Sequence, residues 1–377
     1  MSELPDNSIQ CCVTSPPYWG LRKYAGEQEQ VWGGQPECVH EWGNDIMATN
    51  SGGGWNNPEK RSEYPTMRLK NPAKESDKEV HQGNFCSLCG AWRGGYGLEP
   101  TVGLYVQHSI EILREIRRVL RPDGVCFWNI GDSYAGSWGS TSHDIEGKAK
   151  RSGTNERPPS SYPRVNPGIK PKDLCLIPQR VAIAAQEDGW WVRSIIIWNK
   201  PNPMPESVTD RPTESHEYIL MLTKSAKYYW DMEAVREAYT EPLNRWGGND
   251  VRNSSHKYID TFENGEDNGG IGAIGKTSML RAGAETRPNE NGRNLRSVWE
   301  FPTQPYKFAH FATFPEELPE RCIKAASKDG DTILDPFCGS GTTLKVAAGL
   351  NRKAVGYEIS KEYCQLIVDR NRQSVIL

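Results

Sequence analysis

Apolar and polar positions along the chain fall into blocks of changing period, and each block predicts an element. Ile9, Cys11, Cys12 and Val13 form a short apolar run over residues 7–13. It reads as a buried strand, ended by Ser15-Pro16-Pro17 because proline cannot extend a central strand. Val106, Ile110, Leu113, Ile116 and Leu120 recur at three- and four-residue spacing with Glu and Arg between them. That is an amphipathic helix, stopped by an Arg121-Pro122-Asp123-Gly124 turn and followed by a strand over 125–130. Residues 176–185 read as a helix. Residues 190–198 and 217–230 carry the β-branched and aromatic density of strands about a Pro- and Asn-rich turn, which predicts a hairpin. Helices at 314–326, 342–350 and 361–371 then alternate with strands at 332–334 and 354–357. This βαβα order predicts an α/β fold, a doubly wound, mostly parallel sheet with helices on its faces. No internal repeat is visible.

Three stretches lack this patterning. Residues 33–97 are rich in Gly, Asn, Pro and Trp without lasting period, too long for an ordinary connection, and read as an inserted module or mobile segment. Residues 136–172 have almost no apolar pattern, and 139–172 hold seven Lys or Arg against three Asp or Glu, a basic loop whose stretch from Lys148 to Lys172 contacts phosphate or is simply solvated. Residues 236–297 are Gly- and Asn-rich with nine charges of each sign, a variable surface segment. The expected organisation is a core start at 1–32, an insertion at 33–97, core at 98–235 with the basic loop at 136–172, a target-recognition segment at 236–297, and the second part of the core at 298–377.

The 377 residues suit two domains, or one large core with insertions, at about 100 to 200 residues per domain. With 36% hydrophobic, 10% aromatic and 25% charged residues, a wholly disordered chain is excluded. No apolar run approaches the roughly 18 residues of a membrane span, so no membrane partner is expected. The start, Met-Ser-Glu-Leu-Pro-Asp, lacks a secretory signal, which makes the ten cysteines thiols or metal ligands in a reducing cytoplasm. Lys plus Arg is 45 against 48 for Asp plus Glu, net −3, a balance that neither announces nor excludes nucleic acid.

Three constellations carry chemistry. In Ile333-Leu334-Asp335-Pro336-Phe337-Cys338-Gly339-Ser340-Gly341-Thr342-Thr343 a strand ends in an acid and a Gly-rich turn opens a helix, and Glu358 follows about twenty residues on. Glycines admit close approach of a ligand, and the second acid is placed to accept from a ribose diol, as an adenosine-containing cofactor requires. It is neither the dinucleotide fingerprint nor a phosphate loop, and Asp335 suits a cationic amino group better than a pyrophosphate. A ligand-free Gly-rich turn is the alternative. Val13-Thr14-Ser15-Pro16-Pro17-Tyr18-Trp19-Gly20 is a stiffened bend with two flat rings. A planar ring bearing an amine fits there, with Ser15 and the Pro16 carbonyl taking both amine hydrogens to aid attack on a methyl group. A polyproline ligand or simple turn is the alternative. Cys38-Val39-His40 with Cys86-Ser87-Leu88-Cys89-Gly90 supplies the four ligands of a tetrahedral structural zinc, Cys38, His40, Cys86 and Cys89, with His81 a substitute for His40. Reduced cysteines beside a chance histidine are the alternative. His216 with Glu217, at a strand start, reads as a hydrogen-bonded fold residue with a catalytic base as the alternative, and Asp132 as a fold residue or one that orients substrate.

Ser-Pro-Pro-Tyr near one end and Asp-Pro-Phe-Cys-Gly-Ser-Gly-Thr-Thr near the other resemble the two signature motifs of the β-class DNA amino-methyltransferases, in the order of that family. The likeness extends through 118–124, 132–134, 198–205, 215–217 and 311–321, and covers neither long variable segment. The resemblance implies a Rossmann-like methyltransferase fold. It implies S-adenosylmethionine held by Asp335, Pro336, Phe337, Gly339, Ser340, Gly341 and Thr342, with Glu358 on the ribose and His310, Phe311 and Thr313 closing the methionine pocket. Ser15, Pro16, Pro17 and Tyr18 would form the amino-group site, with Tyr18 stacking on a base rotated out of double-stranded DNA. No Pro-Cys dipeptide of the cytosine-carbon enzymes is present. Relatives usually carry a Gly-Asp segment before Leu4-Pro5-Asp6-Asn7, so either Met1 is a late start or Asp6 and its neighbours compensate. Serine where adenine-specific members carry aspartate tilts the target toward cytosine N4 rather than adenine N6. A protein glutamine or structured RNA is a further substrate class, and a catalytically silent, zinc-bearing DNA-binding protein is the reading from another class. A partner restriction endonuclease is compatible with the resemblance, and the oligomeric state is not readable.

Overall fold

The computed structural model describes residues 1–20, 29–42, 84–135, 169–170, 172–238, 291–303 and 314–372. In chain order the elements are β1 (Ile9–Thr14), β2 (Gln30–Trp32), β3 (Trp92–Gly94), α1 (Val102–Val119), β4 (Leu120–Ile130), α2 (Ile177–Glu187), β5 (Trp191–Asn199), β6 (His216–Thr223), β7 (Val298–Glu300), α3 (Glu317–Ala326), β8 (Thr332–Asp335), α4 (Thr342–Gly349), β9 (Lys353–Gly356) and α5 (Lys361–Arg372). Seven strands form one sheet in the order β7-β5-β6-β4-β1-β8-β9, and β2 and β3 form a separate hairpin. Among the described strands of the large sheet, β6 alone runs antiparallel to its neighbours. Of the expected segments, most of the insertion (43–83), the basic loop (136–168 and 171), 239–290 of the recognition segment, and His81, His310, Phe311 and Thr313 lie outside the described residues.

Strand β1 is buried at every position because it has neighbours on both sides and helices on both faces. Cys12, Cys126, Trp128 and Ile130 face α1 and α2, while Cys11, Val13, Val125 and Phe127 face α3. Ile9 pairs with Leu120 but Cys11 with Val125, so the extra residues Arg121 to Gly124 bulge within the strand. The expected turn at 121–124 is therefore an irregular strand entry: β4 begins where α1 ends. Thr101 caps α1, its hydroxyl accepting from Leu104 N at 3.2 Å. Burial of Leu113 and Ile116, each with no exposed surface, stabilises this face by about 1.5–3 kcal/mol per side chain.

The predicted hairpin forms, with β5 and β6 antiparallel, but β6 ends at Thr223 rather than 230. Tyr228 and Trp230 pack on the core from a loop, so their aromatic density serves packing and not a ladder. Strand β7, three residues long, was not expected: Val298-Trp299-Glu300 has no room to display a period. Arg118 holds the amino-terminal stretch, donating to Met1 O at 2.8 Å, Leu4 O at 3.0 Å and Asp6 Oδ1 at 2.6 Å.

Candidate active site

Parallel strands bring their carboxyl ends to one edge of the sheet, and the reversed β6 brings its amino end to the same edge. Ser15 after β1, Asn129 in β4, Lys200 after β5, Glu217 in β6, Asp335 at the end of β8 and Glu358 after β9 therefore share one rim. Strands β1 and β8 are neighbours, so the proline bend and the glycine bend, some three hundred residues apart in sequence, abut. Thr14 Oγ1 donates to Asp335 Oδ1 at 2.7 Å, and Thr343 Oγ1 to Val13 O at 3.3 Å.

Asp335 is 1% exposed. Its Oδ1 also accepts Phe337 N at 3.0 Å, while Oδ2 is buried with no hydrogen-bond partner among the described residues. Burial pushes its pKa up to about 6 against the hydrogen bonds from Thr14 and Phe337, and the Glu358 charge adds to the rise. A cation beside Oδ2 would relieve that cost. Gly339 has φ +50° and open space where a Cβ would stand. An unpartnered acid beside an open glycine cradle is a donor set that fits an amino-acid ammonium with an adenosine group. Glu358 is folded onto its own turn, Oε2 accepting Gly339 N and Oε1 accepting Ser360 N, both at 2.9 Å. Ser340 and Thr342 are buried under Arg370, which donates to Ser340 O at 3.0 Å and Thr342 Oγ1 at 3.1 Å. They brace the turn. Phe337 is half-buried, its ring 5.7 Å from Tyr96, and Gly341 takes φ +77° with Ile367 close behind it.

On the Ser15 side of the rim, Tyr18 donates to Glu217 Oε2 at 2.6 Å, and Ser15 Oγ lies 3.4 Å from the Tyr18 hydroxyl. Asn129 Nδ2 donates to Tyr18 at 2.9 Å, to Glu217 Oε2 at 3.0 Å and to Ser15 Oγ at 3.3 Å, while its Oδ1 is buried without a partner among the described residues. Lys200 forms an ion pair with Glu217 Oε1 and lies 4.6 Å over the Trp198 ring. A Cβ on Gly131 would stand 2.8 Å from the Tyr18 ring, so glycine there is what lets the ring approach the backbone just past β4. Pro16 is buried, and the Pro17 carbonyl accepts from the Tyr105 hydroxyl at 3.0 Å.

In the sequence Glu217 stands out only beside His216 at a strand start, and Asn129 and Lys200 carry no assigned role. A lone Asn in the run Val-Cys-Phe-Trp-Asn-Ile was the available signal. Asp132 Oδ1 accepts Ser133 N at 2.8 Å and Ile177 N at 3.1 Å, tying it to the start of α2. His216 packs edge-on against Tyr218.

Away from the rim, Cys38, His40, Cys86 and Cys89 converge, their ligand atoms all within 4.8 Å of one another. Cys38 Sγ and Cys86 Sγ are 3.9 Å apart, and Cys89 Sγ and His40 Nδ1 3.4 Å. Tetrahedral zinc with bonds of about 2.3 Å to sulfur and about 2.0 Å to nitrogen has edges of roughly 3.8 Å and 3.5 Å, so the spacing fits.

A family model described as "DNA methylase" matches residues 9–369. Type II methyltransferase M.Cfr9I of Citrobacter freundii is 35% identical over 98% of this chain and 83% of its own length. Type II methyltransferase M.SmaI of Serratia marcescens is 32% identical over 97% of this chain and 85% of its own. The solved structure titled PvuII DNA methyltransferase (cytosine-N4-specific) has the same fold at TM-score 0.50 and 15% identity, covering 98% of this chain and 81% of that one.

Proposed function

We propose a target base and site roles for a chain that belongs to the DNA methylase family, the S-adenosylmethionine-dependent DNA amino-methyltransferases acting on cytosine N4 or adenine N6. The target is the N4 amine of a cytosine rotated out of double-stranded DNA. The observation that carries this reading is the abutment of the Ser15 bend on the Asp335 bend, one suited to an amine and the other to a cationic cofactor.

Asp335 Oδ2 would hold the amino group of the cofactor's methionine end, Pro336, Phe337 and Gly339 would line it, and Glu358 would turn toward the ribose. Ser340, Gly341 and Thr342 keep the turn in shape, and His310, Phe311 and Thr313 remain proposed as the closing wall. When bound, S-adenosylmethionine supplies an electrophilic sulfonium methyl. The chain's part is to make a poor nucleophile attack it: Ser15 Oγ and the Pro16 carbonyl accept the amine hydrogens, drawing the nitrogen lone pair out of the ring. Pro17 stiffens the bend, and the Tyr18 ring stacks on the extruded base. Such stacking is worth about 1–3 kcal/mol against an extrusion cost of a few kcal/mol. Ser15, at the place where adenine-specific members of the family carry aspartate, favours cytosine.

The Cys/His cluster would bind a structural zinc that staples a loop too polar to pack alone. The Type II naming of the relatives supports a cytoplasmic enzyme with a partner endonuclease. No helix among the described residues is long and apolar enough to cross a membrane. Mass spectrometry of nucleosides from DNA treated with enzyme and S-adenosylmethionine tests the target: N4-methylcytosine is expected, and N6-methyladenine instead would reverse the choice of base.

A further inference from the structure

The hairpin that carries the Cys/His cluster is built, at its other end, into the proline bend. Cys86 N donates to Ala91 O at 2.7 Å, which leads the chain from the cluster directly into β3. Trp92 in β3 and Trp32 in β2 are register partners. Both rings stack on His108 of α1, at 5.4 Å and 4.5 Å between centroids. His108 Nδ1 lies 3.0 Å from Glu99 Oε1, and the two side chains are 1% and 0% exposed. From Glu99 the bonds run on to the bend. Its Oε2 accepts Gly97 N at 2.9 Å, its carbonyl accepts Trp19 Nε1 at 2.9 Å, and the Gly97 carbonyl accepts Gly20 N at 2.7 Å. Tyr105, one turn before His108, holds the Pro17 carbonyl. Tyr96 stacks on Tyr105 at 4.9 Å and on Phe337 of the glycine bend.

A buried acid–imidazole pair is a poor way to gain stability, since well-packed apolar residues do as well. What this pair does is fix position, and an error near 1 Å in a reacting geometry can cost about a hundredfold in rate. We propose that Glu99 and His108, clamped by Trp32 and Trp92, are positioning residues that hold the Pro17–Gly20 backbone in register with the Asp335 bend, so that the Cys/His knuckle governs turnover through the proline bend. This rests on the methyl-transfer reading. Glu99, fully enclosed, acts through the bend and does not touch substrate.

The test uses the full chain, tritiated S-adenosylmethionine and genomic DNA from a methylase-free bacterial strain, with kcat normalised to cofactor-binding sites counted by calorimetry. Glu99→Gln keeps the shape and removes one acceptor. Its kcat should fall about tenfold or more while the cofactor Kd stays within about twofold and the zinc content is unchanged. A merely structural role would lower the melting temperature and leave normalised kcat intact, and that result overturns the proposal. Should Glu99→Gln fail to fold, Trp32→Phe, which leaves a smaller ring on His108, should give a loss of several-fold in kcat alone. Stripping zinc from the wild type should lower kcat in step with the metal released while the cofactor Kd holds, and full turnover without zinc overturns the coupling. Wild-type protein that transfers no methyl would instead sink the methyl-transfer reading, a result read from a different sample.

Discussion

At the scale of single residues, Asp335 sets folding against binding. Burial raises its pKa from 3.8 to about 6. An acid raised in this way favours the empty fold when protonated: its contribution is complete below 3.8 and is lost as pH rises through about 6. Capture of an ammonium needs the ionised form, so the dependence of binding runs the other way. S-adenosylmethionine affinity should weaken about tenfold per pH unit below 6, and Asp335→Asn should be both weaker and flat with pH. Calorimetry across that range checks this, and a wild-type affinity indifferent to pH would remove Asp335 from the ammonium site. On the other wall, Ser15→Ala should lower kcat by about a hundredfold or more, in the range of lost general acid–base help, with cofactor Kd unchanged. Tyr18→Phe separates the ring from the hydroxyl that reaches Glu217. It should retain stacking and lose only several-fold, whereas Tyr18→Ala should lose about ten- to a hundredfold, the worth of one stacked base. Equal losses in the two Tyr18 variants would assign the role to the hydroxyl.

At the scale of elements, the Cys/His knuckle is the part whose stability is least its own. β2 and β3 are three residues each, too short to stand alone, so what holds them is packing on His108 and, in the proposed reading, a metal at the converging Cys38, His40, Cys86 and Cys89. Cys86→Ser should release the metal and expose the hairpin to protease, read by metal analysis and digestion; zinc retained at wild-type stoichiometry would discard the site. The convergence of Cys86 and Cys89 was legible because Cys-x-x-Cys-Gly is a local motif, and β1, α1, α2 and the last βαβα units because each carries a full period within its own residues. Asn129, Glu217 and Lys200 were not legible as a group. Asn129 lies in β4, Glu217 in β6 and Lys200 just past β5, and it is the reversal of β6 that brings Glu217 beside the end of β5. The entry to β4 was misread for a related reason: Arg121-Pro122-Asp123-Gly124 has turn composition, but Gly124 packs against the carbonyl of Gln10 in β1. The neighbouring strand decides that conformation.

At the scale of the molecule, the chain places its earliest strand in the middle of the sheet, with β4 on one side and β8 on the other. The bend proposed to hold the amino group, Ser15 to Tyr18, follows that strand, and the bend proposed to hold the cofactor, Asp335 to Gly341, ends the strand beside it, so the two bends share a rigid backbone rather than a hinge. The consequence is measurable by hydrogen exchange. Amides of β1 and of β4 from Val125 to Ile130, buried throughout, should exchange only through global unfolding, while the edge strands β7 and β9, whose residues are largely exposed or half-exposed, open sooner. Saturating S-adenosylmethionine binds the folded state alone. At a hundred times Kd it should therefore add about 2.7 kcal/mol to the global term. That increment should appear in the β1 amides as fully as in the Asp335 turn, because β1 has no route to exchange short of unfolding the sheet. Protection that rises at residues 335–341 and not in β1 would mean that β1 opens locally, and a rigid seam between the two bends would then be the wrong account of how they are held together.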